Sequence, residues 1–164
     1  ILTSLLFTLV AHYFHVDDLY NSKEKLEMGS SSVTKIMTWV QANYGYANII
    51  SGFFYAFMVH LFFRKYKYNF FEIVVLLCFV MGQGMLLLTF ETFFINYLGF
   101  SYYSIILLII AFGYPTYAIG QFFDKSKTLS YVKAFFAYLL GYVLFQIAII
   151  IVGMTYDSIT KVIQ

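Results

Sequence analysis

An all-α integral membrane bundle is the fold class this sequence predicts, with four full spans and a truncated N-terminal one. Three observations predict it. Of the 164 residues, 62% are hydrophobic and only 11% are charged, where soluble domains carry about 25% charged residues. Four apolar runs, at about 44–63, 70–90, 101–123 and 131–156, each match the roughly 20 residues that cross a bilayer. The basic residues concentrate in the turns between runs, as Arg64, Lys65 and Lys67 and as Lys125, Lys127 and Lys133. The whole chain, 1–164, reads as one transmembrane domain.

The run 1–14 is too short to span and reads as half of a helix. The chain opens on Ile1 rather than Met, so it is taken as a piece of a longer protein. Segment 15–43 is polar by comparison and is expected outside the cytoplasm. Asp17 and Asp18 start a short helix there that stops at Gly29. Ser30, Ser31 and Ser32 offer caps for a second. In that second helix Val33, Ile36, Met37 and Val40 recur at helical spacing beside Trp39. This suits a helix lying at headgroup level or one packed on the bundle.

In the first full span Asn48, Gly52, Ala56 and His60 share one face, and Gly52 with Ala56 admits a close neighbour. Asn69 and Glu72 have the spacing of a capping box that opens the second. Pro115 should kink the third or free a carbonyl. Ala134, Ala137, Gly141 and Ala148 form a small-residue stripe on the fourth. Tyr44, Tyr46, Tyr66, Tyr68, Tyr97, Tyr102, Tyr103 and Tyr131 fall near span ends, as interfacial aromatics do.

Positive charge marks the cytoplasmic side. Turns 64–69 and 124–130 are therefore placed in the cytoplasm. The link 91–100 has no Lys or Arg and lies outside, with the C-terminus. The turns also echo one another, Phe62-Phe63-Arg64-Lys65-Tyr66-Lys67 against Phe122-Phe123-Asp124-Lys125-Ser126-Lys127, each before a cap candidate, Asn69 or Ser130. One charge rule obeyed twice explains this better than duplication does.

Chemistry-bearing groups are few. His60 and Glu72 lie equally far from the first basic turn, and Gln83 stands mid-span between Gly82 and Gly84. His60 and Glu72 either meet across the hairpin as a proton-handling pair, or Glu72 caps its helix while His60 reaches the headgroups. His12, His15, Asp17 and Asp18 are weak metal candidates, since imidazole and carboxylate suit a divalent transition metal. A solvated helix end is the alternative. Cys78, the single cysteine, forms no intrachain disulfide and reads as a buried thiol. Phosphate loops, nucleophile elbows, His-Glu-x-x-His pairs and paired intramembrane aspartates are absent from the sequence. Asp124 and Asp157 are placed in loops. No catalytic residue and no cofactor is expected.

The run Leu61-Phe62-Phe63-Arg64-Lys65-Tyr66-Lys67-Tyr68-Asn69-Phe70-Phe71-Glu72-Ile73-Val74 resembles a bacterial family of uncharacterised multi-spanning membrane proteins. Family members show basic residues, an aromatic, then a Glu opening the next helix, and Lys133 fits the following hairpin. They often have His after that Glu, where this chain has Ile73, which weakens a ligand role for the pair. The resemblance implies about five spans and a zinc ribbon before Ile1, on the cytoplasmic side. It implies no activity.

The functional expectation is a non-catalytic membrane module of a sensor or scaffold. A small-solute or lipid transporter is the alternative, on the strength of Pro115 and the glycines around Gln83; an intramembrane enzyme comes third. Membrane lipids are the expected partners, with a protein partner or homo-oligomer through the small-residue faces. The net charge of +2 gives no reason to expect nucleic acid.

Overall fold

The computed structural model describes residues 2–13, 32–92 and 105–163. Its helices are α1 (Leu2–Tyr13), α2 (Ser32–Ala42), α3 (Tyr44–Phe62), α4 (Phe70–Thr92), α5 (Ile105–Asp124) and α6 (Thr128–Ile163). A 3-10 turn, Arg64–Tyr66, follows α3. Helices α3 to α6 are each long and apolar enough to cross a bilayer, so the chain is a multi-pass membrane bundle. Among the described residues there is no strand, as expected where hydrocarbon leaves no water to satisfy backbone groups.

Helix α6 organises the bundle. Its 36 residues make a rod of about 54 Å at 1.5 Å per residue, whereas the hydrocarbon is about 30 Å thick. Its start at Thr128 adjoins the second basic turn, and the rod is longer than the hydrocarbon is thick. α2, α3 and α5 all pack on it. Three glycines permit these approaches: an ideal Cβ on Gly141 would lie 2.8 Å from Tyr55 Cα, on Gly120 3.0 Å from Tyr131 Cα, and on Gly153 2.9 Å from Val33 Cα. Ala134 and Ala137 are fully buried beside them. Ala134, Ala137 and Gly141 of the small stripe are therefore buried against helices of the same chain, while Ala148 is half-buried.

Helices α2 and α3 form a bent arm against α6. Val33 and Tyr55 are 22 residues apart, yet they touch Gly153 and Gly141, only 12 apart. At 1.5 Å per residue the arm runs about 33 Å between points about 18 Å apart, so it must fold sharply. It does so at Asn43, whose φ of −126° and ψ of 48° leave the helical region. The Asn43 side-chain amide donates to Trp39 O at 3.0 Å and stabilises the break.

The far end of the arm is held by a residue the sequence reading had misplaced. Asp157 is helical, within α6, and its carboxylate accepts from the Ser32 backbone N–H at 3.2 and 3.3 Å. A carboxylate at a helix N-terminus satisfies an orphan donor and complements the helix dipole. Neither Gly nor Pro follows Gly153 to stop the helix, so α6 runs on to Ile163 rather than ending near 156.

Glu72 does make its half of the capping box, its Oε2 accepting from Asn69 N at 2.8 Å. Ser130, by contrast, is not a cap: α6 starts two residues earlier, and Ser130 is buried in its first turn. Pro115 has no N–H to offer the carbonyl four residues back. The helix answers with a π-helical turn at Ile109–Gly113, closed by Tyr114 N–H to Ile109 O. The expected disturbance is thus a π-turn just before the proline.

The echoing turns pack on each other. Phe63 and Phe123 stack with centroids 4.1 Å apart and planes 15° apart, ringed by Tyr66 at 5.4 Å from Phe123 and Tyr68 at 5.6 Å. Asp124 gathers the polar groups: Ser126 Oγ donates to it at 2.6 Å, Lys127 Nζ lies at 2.7 Å, and Tyr66 Oη makes a long 3.5 Å contact. The carboxylate holds the Lys127 ammonium pKa above its ordinary value. Lys67 ends the first turn in the left-handed region, at φ 57°, a conformation that costs a non-glycine residue about 1–2 kcal/mol.

Candidate functional site

The described residues line a half-open cavity of about 290 Å³ between α1, α3 and α4. Sequence alone explains why it is there. Gly45 and Gly52 on α3 and Gly82 on α4 remove the side chains that would fill it. The nearest neighbour of a Cβ on Gly52 would be Met81 Sδ, at 3.7 Å, an ordinary contact rather than a clash. Its wall is mostly apolar, and exposed Ile49, Phe53 and Cys78 stand at its rim.

Two polar side chains line this space, Thr3 of α1 and Asn48 in the second turn of α3. Asn48 donates from Nδ2 to Met85 Sδ at 3.1 Å, and thioether sulfur is a weak acceptor. Asn48, Met81 and Met85 also line a second space of about 120 Å³, which reaches Pro115 and Tyr138 on α5 and α6. The Asn48–Met85 contact therefore stands between the two lobes. Met85 is further fixed from its own helix, since its carbonyl accepts from Thr89 Oγ1 at 2.8 Å. The pair offers one amide to a ligand that is otherwise met by hydrocarbon, sulfur and the Thr3 hydroxyl.

The residues picked from sequence lie elsewhere. His60 is half-buried with its ring edge-on to Phe70, 6.4 Å between centroids. Glu72 is exposed and turned back to Asn69, and among the described residues no hydrogen bond joins it to His60. The proton-handling pair is not formed, because the capping N–H holds the carboxylate at its own helix start. Gln83 is exposed and does not line either lobe. Cys78 is exposed rather than buried, since it lies at the cavity rim. His15, Asp17 and Asp18 lie outside the described residues, as does the side chain of His12. Among the described residues no three His, Cys, Asp or Glu groups converge.

Asn48 was read as part of a packing face. The signal that could have found the cavity was the clustering of Gly45, Gly52, Gly82 and Gly84 at matching depths of adjacent antiparallel helices. Comparison with family models, curated proteins and solved structures finds no match to this chain.

Proposed function

We propose that the chain is the membrane module of a non-catalytic sensor or scaffold, and that it takes a segment of lipid acyl chain into the α1–α3–α4 cavity. The observation that carries this reading is the glycine-walled space at mid-membrane. Its volume sits near the lower limit of ligand pockets, about 300 Å³, and its wall is apolar with a single amide. Such a space suits a hydrocarbon segment better than a hydrated solute, whose polar groups would go unpaired. Native mass spectrometry of the protein released from nanodiscs should retain bound lipid. Gly52→Leu, which fills the cavity without disturbing a tight contact, should abolish that retention. Equal lipid retention by both proteins would refute the reading.

A transporter is the second reading. It is favoured by the smaller lobe beside the π-turn and Pro115, separated from the larger by Asn48, Met81 and Met85. Movement at that turn would join the lobes into a path.

The orientation we propose follows the positive charge: turns 64–69 and 124–130 in the cytoplasm of a bacterial inner membrane, and the C-terminus outside. Cysteines placed near Lys65 and Lys125 in a Cys78→Ala background should react with an impermeant maleimide only from the cytoplasmic side. A cysteine near Asn96 should react only from outside. Labelling of the two basic turns from opposite faces would overturn the topology.

A further inference from the structure

We propose that the chain pairs with a second copy of itself through α4, with Gln83 of each copy hydrogen-bonded to the other at mid-membrane. Gln83 is 13 residues after Phe70 and 9 before Thr92, about 20 Å and 14 Å along the axis at 1.5 Å per residue. No side chain reaches headgroups over such distances. An amide left in hydrocarbon without a partner is costly, and polar side chains in spans ordinarily face protein.

The other mid-membrane amides show the contrast. Asn48 is half-buried and bonded to Met85, and Gln146 donates to Tyr142 Oη at 2.8 Å. Gln83 is exposed, and among the described residues it makes no hydrogen bond. α1 does not cover it: α1 packs along the neighbouring face of α4, where Thr3 Oγ1 lies 3.7 Å from the Cβ position of Gly82. Gln83 stands instead in a row with Val75, Phe79 and Phe90, all exposed, at the four- and seven-residue steps of one helical face.

The occupant is fixed by depth and by amide chemistry. Two copies share one orientation in a membrane, so a twofold axis along the membrane normal brings residue 83 of each to equal depth. A primary amide carries both donor and acceptor, so two of them satisfy each other with paired bonds. A lipid tail offers neither. Glu72, on the same row at the basic-turn end, approaches its counterpart among exposed Arg64, Lys65 and Lys67, which offset the repulsion.

The test is single-molecule photobleaching of the labelled full chain in phosphatidylcholine vesicles at falling protein density. The native protein should be dimeric at densities where chance co-occupancy is small. Gln83→Leu should weaken association about tenfold, within the range of interhelical side-chain hydrogen bonds in membranes, while leaving thermal stability unchanged. Gln83→Cys with Cys78→Ala should form a disulfide dimer on oxidation, and Ile151→Cys on α6 in the same background should not. A native protein that is monomeric at every density would overturn the proposal. So would an unchanged dimer in Gln83→Leu, or cross-linking through position 151 in place of 83.

Discussion

Phe63→Ala is expected to destabilise the detergent-solubilised protein by about 3 kcal/mol, and Phe123→Ala by a similar amount. Both rings are almost fully buried and stacked at 4.1 Å, and each links the end of one hairpin to the end of the other. Phe→Ala in soluble cores costs roughly 3–5 kcal/mol, part of it transfer and part of it the cavity left behind. Here the transfer part shrinks, because the unfolded reference is itself partly lipid. The cavity part remains, since Ile119 and Val59 beside the pair are fully buried in the same cluster and have nowhere to collapse. The double variant should therefore cost less than the sum of the singles. A coupling of about 1 kcal/mol is the usual worth of an aromatic pair beyond its area. Denaturant titration in mixed micelles reads all four proteins. Single variants within about 0.5 kcal/mol of the native protein would show that the turns are not joined through these rings.

The bundle was legible in the sequence because hydrocarbon imposes a strong and simple constraint: length, apolarity and charged turns suffice to place Tyr44–Phe62 and Phe70–Thr92 closely, though α6 starts at Thr128, ahead of the expected 131. Local backbone chemistry was legible too, where it lies within a few residues. Asn69 with Glu72 is the clear case, and Pro115 foretold a disturbance if not its π-helical form. Contacts between remote residues were not legible. Nothing near Ser32 announces that Asp157, 125 residues on, will accept from its N–H. The echo of Phe63 and Phe123 was visible, but pattern alone does not say that the echoing residues touch. The site was missed for a related reason. A small residue in a span reads the same whether it faces a neighbouring helix or an empty space, so Gly52 and Gly141 looked alike. Their surroundings differ: a Cβ at Gly52 meets nothing closer than 3.7 Å, whereas one at Gly141 would lie 2.6 Å from Tyr55 Cδ1.

That difference predicts opposite signs for the same substitution. Alanine in place of a helical glycine is ordinarily favourable by up to about 1 kcal/mol, because glycine loses more backbone freedom on folding. At Gly52 there is room for the methyl group, so Gly52→Ala should stabilise the protein by about 0.5 kcal/mol. At Gly141 the methyl group would also lie 2.8 Å from Tyr55 Cα and 3.2 Å from Tyr55 N. Backbone atoms of a packed helix cannot step aside singly. The Tyr55 ring is held as well, stacked on Tyr138 with centroids 4.4 Å apart. The remaining response is for α3 and α6 to separate, and dispersion between helices in lipid falls steeply with separation. Gly141→Ala should therefore cost about 2 kcal/mol net, within the overpacking range. Gly141→Leu should cost more, enough to lower the yield of folded protein. Thermal unfolding in one detergent, with both alanine variants side by side, decides the matter. If Gly141→Ala were as stable as Gly52→Ala, the close crossing of α3 on α6 would be wrong, and with it the sharp fold of the α2–α3 arm at Asn43.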